Sequence, residues 1–397
     1  MNPLGALFLV CVIDVTGFGI VVPLLPYIAD RFGAAPWMVT AILASYSLCQ
    51  LLAAPWWGRL SDRYGRRPIL LSSMAGACLS YVLLGLAPSL LWLLLSRMLS
   101  GAMAGNLSAA MAYASDISKP AQRARALGTV GAAIALGFTI GPVIGGVLAG
   151  DSERTANFLR PALASVSMSL LAMLLVALVL RESVDAPQRL ANRAAENQTT
   201  ARRVLRARPA LRWLVLAGLL VTFSQSSLES ILGLWALKRF GLGPRTVSYL
   251  FFGLAIVAVL MQGGLVRVLA PRLGEQRLAL AGIAALVIGL GVVALAPHLG
   301  GAELGLLLCG VGAGAYNPAG SALVSRQADA TNRGVVMGVN QSGSSLARVL
   351  GALASGALFG RFGAAAPFAV GALVTVQASW CLFMARRFSL QAAHSES

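Results

Sequence analysis

Four ionisable side chains lie deep inside long apolar stretches of this sequence: Asp14, Arg97, Glu229 and Arg348. A charge near the centre of a bilayer costs about 3 kcal/mol or more, so such groups face a cavity or one another. Their formal charges cancel, which is consistent with internal pairing. The two acids can carry protons. Burial favours the neutral carboxylic acid and a nearby cation favours the carboxylate. An acid that alternates between those surroundings binds a proton on one side of a membrane and releases it on the other. Arg97 is suited to tuning Asp14; the bland alternative is a permanent Asp14–Arg97 pair that only orders two helices. Glu229 sits in the polar run Phe223-Ser-Gln225-Ser-Ser-Leu-Glu229-Ser. An acid in a partly apolar cavity can hold a proton or a cation, so the two compete for it. Arg348, in Ser344-Ser-Leu-Ala-Arg348, can pair with Asp14 or Glu229, bind an anionic group, or snorkel toward the interface.

Weaker candidates for a cavity lining are Gln50, Asn106, Tyr113, Gln225, Tyr316, Asn317, Asn340 and Gln341. Each is equally suited to hydrogen bonding between helices. Phe18, Phe138, Phe223 and Trp235 can stack on an amphipathic ligand or simply pack.

Positioning these groups requires helices. Of the 397 residues, 57% are hydrophobic and 11% charged, too little polar surface for a soluble chain of this length. Apolar segments of about 20 residues recur between short charged loops, the length needed to cross a bilayer as helix. The alternation of barrel strands is absent. Twelve spans are predicted, at 4–28, 38–57, 69–87, 90–115, 124–149, 159–180, 211–237, 244–268, 278–297, 302–325, 333–358 and 364–385. The first lacks a basic leader and contains Asp14, so it reads as a retained helix and not a signal peptide. Alternate loops hold most of the Lys and Arg, which puts both termini in the cytoplasm. The net charge of +17 then reflects topology and attraction to anionic lipid, and nucleic-acid binding is excluded because no basic patch is interleaved with aromatics. Cys11, Cys49, Cys78, Cys309 and Cys381 all fall in spans, without metal-site spacing and as small packing residues. His298 and His394 form no metal constellation.

Residues 182–210 break the apolar pattern and read as a cytoplasmic linker. They separate a six-helix half at 1–181 from a second at 211–397 with a short tail. The halves are repeats. A shift of 209 positions lays Arg63-Tyr64-Gly65 on Arg272-Leu273-Gly274, Leu86-Ala87-Pro88 on Leu295-Ala296-Pro297, and Gly101 and Gly105 on Gly310 and Gly314.

After span 2 the chain reads Gly58-Arg-Leu-Ser-Asp62-Arg63-Tyr-Gly65-Arg66-Arg67-Pro. The two glycines permit a tight turn, and Asp62 can meet arginines or the positive end of a helix. Span 5 contains Gly137-Phe-Thr-Ile-Gly141-Pro142-Val-Ile-Gly145-Gly146. Glycines four apart let a neighbouring helix approach closely, and the proline can bend its own helix. Span 1 reads Asp14-Val-Thr-Gly17-Phe-Gly19-Ile-Val-Val-Pro23-Leu-Leu-Pro26, and span 4 holds Arg97-Met-Leu-Ser-Gly101. Together these strings resemble the motifs of the major facilitator superfamily. The loop resembles its conformational latch, and the span 5 string resembles the antiporter motif of its drug exporters. The second copy of the latch is degenerate, with Pro271 where Asp62 maps.

The resemblance implies an all-α membrane fold of twelve helices in two six-helix repeats, with a substrate site between the repeats. It implies a monomeric proton-coupled antiporter of the bacterial inner membrane that exports cationic or zwitterionic amphipathic drugs. The span 7 acid resembles that of several multidrug exporters. Tetracycline-specific relatives carry an intramembrane histidine in span 8 and an aspartate in span 9. Here span 8 offers Gln262 and span 9 no acid, so the multidrug reading fits better. The alternative is a facilitator or proton-coupled transporter of an anionic or polar metabolite or lipid, with Arg348 and Arg97 as anion clamps. No cofactor is implied. Gly310-Val-Gly312-Ala-Gly314 has no preceding strand to make it a dinucleotide site, and no GxxxxGK[ST] string supports ATP-driven transport. An enzyme would need a nucleophile–base set or clustered metal ligands within the spans.

Overall fold

A computed structural model describes residues 2–119, 122–151, 156–183, 208–327 and 333–395, and among them no strand occurs. Most of the linker expected at 182–210 lies outside the described residues.

The helices follow the hydropathy pattern. α1 (Pro3–Val21) continues through a short 3-10 turn into α2 (Leu25–Arg31). Next come α3 (Pro36–Tyr64), α4 (Arg66–Gly85), α5 (Leu90–Ala102), α6 (Asn106–Asp116), α7 (Arg123–Ala149) and α8 (Leu159–Val179). The later helices are α9 (Pro209–Phe240), α10 (Pro244–Leu260), α11 (Val266–Leu273), α12 (Glu275–Leu295), α13 (Leu299–Arg326), α14 (Arg333–Phe362) and α15 (Ala366–Ser395). Among the described residues, eleven helical stretches are long and apolar enough to cross a membrane. The polar run from Asn340 to Arg348 makes α14 less apolar than the others, although its 30 residues suffice in length.

Two details depart from the expected pattern. Gly58 through Tyr64 continue α3 as helix, and the turn is made by Gly65 alone, at φ 104°. Only a residue without Cβ takes that conformation at low cost, whereas Gly58 has open space around it and no turn to make. Span 4 is two helices, because Met103–Gly105 form a turn between α5 and α6.

Backbone contacts divide the chain into two compact units: 1–197 with 236–252, and 198–235 with 253–397. In the first, α1 packs on α7 and α8, and α4 on α8. Leu7, Val10, Leu70, Met74, Ala114 and Val176 are among its buried core. In the second, α12 packs on α13 and α15. The segment 236–252 follows the linker in sequence, yet its contacts group it with 1–197. Tyr27 Oη donates to Leu242 O at 2.8 Å, and Lys238 pairs with Asp30 at 2.9 Å.

The repeat survives in the packing. Cβ atoms added at Gly101 and Gly310 would strike the backbone carbonyls of Tyr46 and Leu254, respectively. Pro55 lies inside α3, and a π turn at Met261–Leu265 lies at the corresponding place between α10 and α11. Both loosen the helical ladder in the second helix of a repeat.

Candidate functional site

In the first unit, Asp14 is 6% exposed on α1. It accepts a hydrogen bond from Asn106 Nδ2, at the first residue of α6. A cavity of about 10 Å³ lies between them and Leu70, Met74 and Ala110, on the scale of one water molecule. Arg97 is 1% exposed on α5, stacked over the ring of Tyr81 at 5.8 Å. The direct Asp14–Arg97 pair considered from the sequence is not formed. Asp14 is level with the start of α6, and nine residues of helix amount to about 13 Å, so Arg97 sits far along the other half of span 4. Its Nε and Nη2 are buried without a hydrogen-bond partner.

Two of the four aromatics chosen from the sequence, Phe18 and Phe138, meet on this unit. Phe18 lies 4.9 Å from Tyr46 and 5.6 Å from Phe138, edge-on to the latter. Gln50 Nε2 reaches Tyr46 Oη at 3.5 Å. Phe138 is 42% exposed, so the cluster has an open side. Tyr113 is placed elsewhere: it is buried, and its Oη donates to Arg181 O at 2.9 Å, beside the linker.

In the second unit, the side chain of Glu229 on α9 is exposed. The cation whose field acts on it is Arg348. α9 and α14 touch where these residues lie: Ser226 Oγ donates to Arg348 O at 2.9 Å, and a Cβ on Gly351 would strike Phe223 O. Arg348 Nη2 donates to Ser345 Oγ at 2.9 Å. Gln225 Nε2 is buried without a partner nearby on α9. Tyr316 and Asn340 flank Gly218, with Tyr316 Oη at 3.9 Å and Asn340 Oδ1 at 3.5 Å from a Cβ built there. Asn317 and Gln341 are exposed and Phe223 is partly buried. Trp235 is 2% exposed and packs edge-on against Phe368 at 5.2 Å. It is a core residue here, because its indole is already enclosed.

The turn after α3 is held by charge. Arg66 Nη1 meets Asp62 at 2.5 Å and Ser61 Oγ at 3.0 Å, while its Nε donates to Asp116 at 2.9 Å. Glu182 accepts from the backbone N–H groups of Arg66 and Arg67 at 2.8 and 3.3 Å, capping α4. Arg67 Nη2 donates to Ala177 O, and Arg63 lies over the Tyr64 ring.

The model of the Major Facilitator Superfamily matches residues 7–307 and 303–396. The chain belongs to that superfamily. Tetracycline resistance protein, class H, of Pasteurella multocida is 28% identical over 352 residues, covering 87% of this chain and 86% of that protein. Multidrug resistance protein 2 of Bacillus subtilis is 28% identical over 350 residues, covering 86% and 85%. The crystal structure of the human organic anion transporter MFSD10 superposes with a TM-score of 0.73 at 24% identity, covering 96% of this chain and 98% of that one. The protein is thus a multi-pass superfamily transporter.

The superfamily motifs now have local physical reasons. In the span 5 string, Gly137, Gly141 and Gly145 form one stripe against α1. A Cβ on Gly141 would stand 2.7 Å from Thr16 O and Gly19 Cα, and one on Gly145 would strike Ile20 O. Gly146 faces elsewhere, onto Arg245 and Ser248, while Pro142 stays within α7 without ending it. Sequence reasoning missed Asp116 and Glu182, acids distant in sequence that complete the latch, and Tyr46 and Tyr81, which surround Arg97. Tyr46 lies four residues before Gln50, on the same helix face, which was the available signal. The second latch copy also keeps an ion pair with reversed polarity. Glu275, at the position of Arg66, meets Arg326 at 2.7 Å.

Proposed function

We propose that this transporter is a proton-coupled antiporter that exports cationic or zwitterionic amphipathic drugs across the bacterial inner membrane by alternating access, with both termini cytoplasmic. The reading rests on Glu229, an acid with open surface beside the cation Arg348. A proton or a cationic drug can neutralise that carboxylate, and one displaces the other because they share it. Asp14 in the first unit is the second proton carrier. Each inward proton draws about 2.3 kcal/mol per 100 mV from the membrane potential, enough to drive export against a gradient. Further support comes from relatives named for tetracycline and multidrug resistance, and the orientation follows from the distribution of Lys and Arg.

The test is drug addition to the detergent-solubilised protein in weak buffer. Proton release is expected, and Glu229→Gln is expected to abolish drug-dependent release and weaken cation binding. Drug binding without release by the wild type counts against antiport.

The anion-transport reading keeps one observation of its own. Two buried nitrogens of Arg97, Nε and Nη2, have no hydrogen-bond partner, and an anionic ligand would satisfy them. Competition between cationic dyes and organic anions separates the readings: loss of binding on Arg348→Ala or Arg97→Gln, with Glu229→Gln unaffected, favours the anion.

A further inference from the structure

We propose that Asn106 is a positioning residue for proton exchange at Asp14, holding the ionised carboxyl against the N-terminal end of α6. The inference rests on the reading of Asp14 as a proton carrier. It starts from the break in span 4. A helix interrupted in a membrane leaves amides and carbonyls without partners, and each must be satisfied by protein. Here Ser73 on α4 serves both sides of the break: its Oγ donates to Met103 O and accepts from Asn106 N at 3.0 Å. Trp57 Nε1 takes up Ala102 O at 2.6 Å, and its ring packs against Gly105 so closely that no Cβ fits there. The break is therefore built into the packing.

Its effect is to put a helix start beside Asp14. α6 runs for 11 residues, long enough for its first turn to carry partial positive charge, which favours an anion. Asn106 occupies that first turn and its side chain is orientated. Its Oδ1 accepts from Leu107 N at 2.9 Å, so the amide NH2 is the end left for Asp14. Asn106 thus offers Asp14 a donor and no acceptor. An ionised carboxylate accepts a charge-assisted bond from that donor, whereas a protonated carboxyl accepts more weakly through its carbonyl oxygen, and its O–H finds Oδ1 already turned toward Leu107. Proton uptake by Asp14 then weakens its tie to α6.

Among the described residues, no cation acts on Asp14 at this position. The titratable groups acting with it are Cys11 on α1 and Cys78 and Tyr81 on α4. α7 from Ala126 onward and α8 beyond Arg160, which also pack on α1, contain no ionisable side chain, and α6 contributes only Tyr113 and Asp116 at its far end. Asn106 and the start of α6 are what remain to favour the carboxylate.

The test compares drug-dependent proton release and transport across pH for wild type, Asn106→Asp, Asn106→Ala and Asp14→Asn in proteoliposomes. Asn106→Asp keeps the size and the acceptor for Leu107 N but loses the donor. A residue needed only to cap the helix would tolerate it. The expected result is a pH midpoint for release moved up by about one unit or more in both Asn106 variants, with drug binding retained at high pH. Loss of release in Asp14→Asn, together with a wild-type midpoint in whichever Asn106 variant folds, overturns the positioning role alone. Unchanged release in Asp14→Asn overturns both this inference and the proton-carrier reading beneath it.

Discussion

Two alanine substitutions on one helix should change stability in opposite directions. Gly141 and Gly131 both lie in α7. A Cβ on Gly141 would sit 2.7 Å from Thr16 O and from Gly19 Cα, and 2.8 Å from Gly19 C. Those are backbone atoms of α1, so no rotamer change relieves the overlap and the two helices must separate. Overpacking of this kind costs about 1–3 kcal/mol. Around Gly131 nothing lies within 4 Å, and alanine there removes glycine's helical disadvantage of about 1 kcal/mol. The two variants should therefore differ by roughly 2–4 kcal/mol. Thermal unfolding of each in detergent reads the difference directly. Gly141→Ala should melt below the wild type and Gly131→Ala at or above it. Drug transport should fall only in the former, because α1 carries Asp14 and would be displaced. A Gly141→Ala protein as stable as Gly131→Ala would refute the account of the glycine stripe as a close-approach surface.

Other perturbations separate sheltered contacts from exposed ones. Arg66→Ala should cost about 2–3 kcal/mol, since the Arg66 side chain is 8% exposed and its partner Asp116 25%. Asp62→Asn should cost under about 1 kcal/mol because Asp62 is 51% exposed and solvent screens its pair; detergent melting curves of both variants check the contrast. Ser73→Ala should leave Asn106 N without its partner and Met103 O with only the Gly105 N–H, at about 1–3 kcal/mol, and hydrogen exchange at the Asn106 amide should quicken about tenfold or more. Tyr27→Phe should cost about 1 kcal/mol through its lost bond to Leu242 O, read as a lower melting temperature.

The misreadings share a physical cause. Nothing in Met103-Ala-Gly105 prohibits helix, so span 4 reads as continuous. What breaks it is a hydroxyl on α4 and an indole on α3 that together satisfy groups from both sides. Arg97 lies nine residues before Asn106 along span 4, which is why charge cancellation suggested a partner that the chain does not bring together. Gly58 and Gly65 look equivalent on paper. Their difference lies in which one must turn, and that is set by the packing of α3 against α4. Trp235 offered a ring for stacking until Phe368, far along the chain, enclosed it.

Hydropathy was sufficient for the membrane-spanning helices, because the bilayer imposes one local rule on every backbone amide, and the motif strings were sufficient for the superfamily. The buried acids were equally plain, since a charge in an apolar run is visible without any contact. The identity of each acid's partner was not. Asp14 meets Asn106 and Glu229 lies under the influence of Arg348 through residues some ninety to one hundred and twenty positions away. Such meetings depend on helix breaks, crossings and rotations, which arise only when the segments pack together.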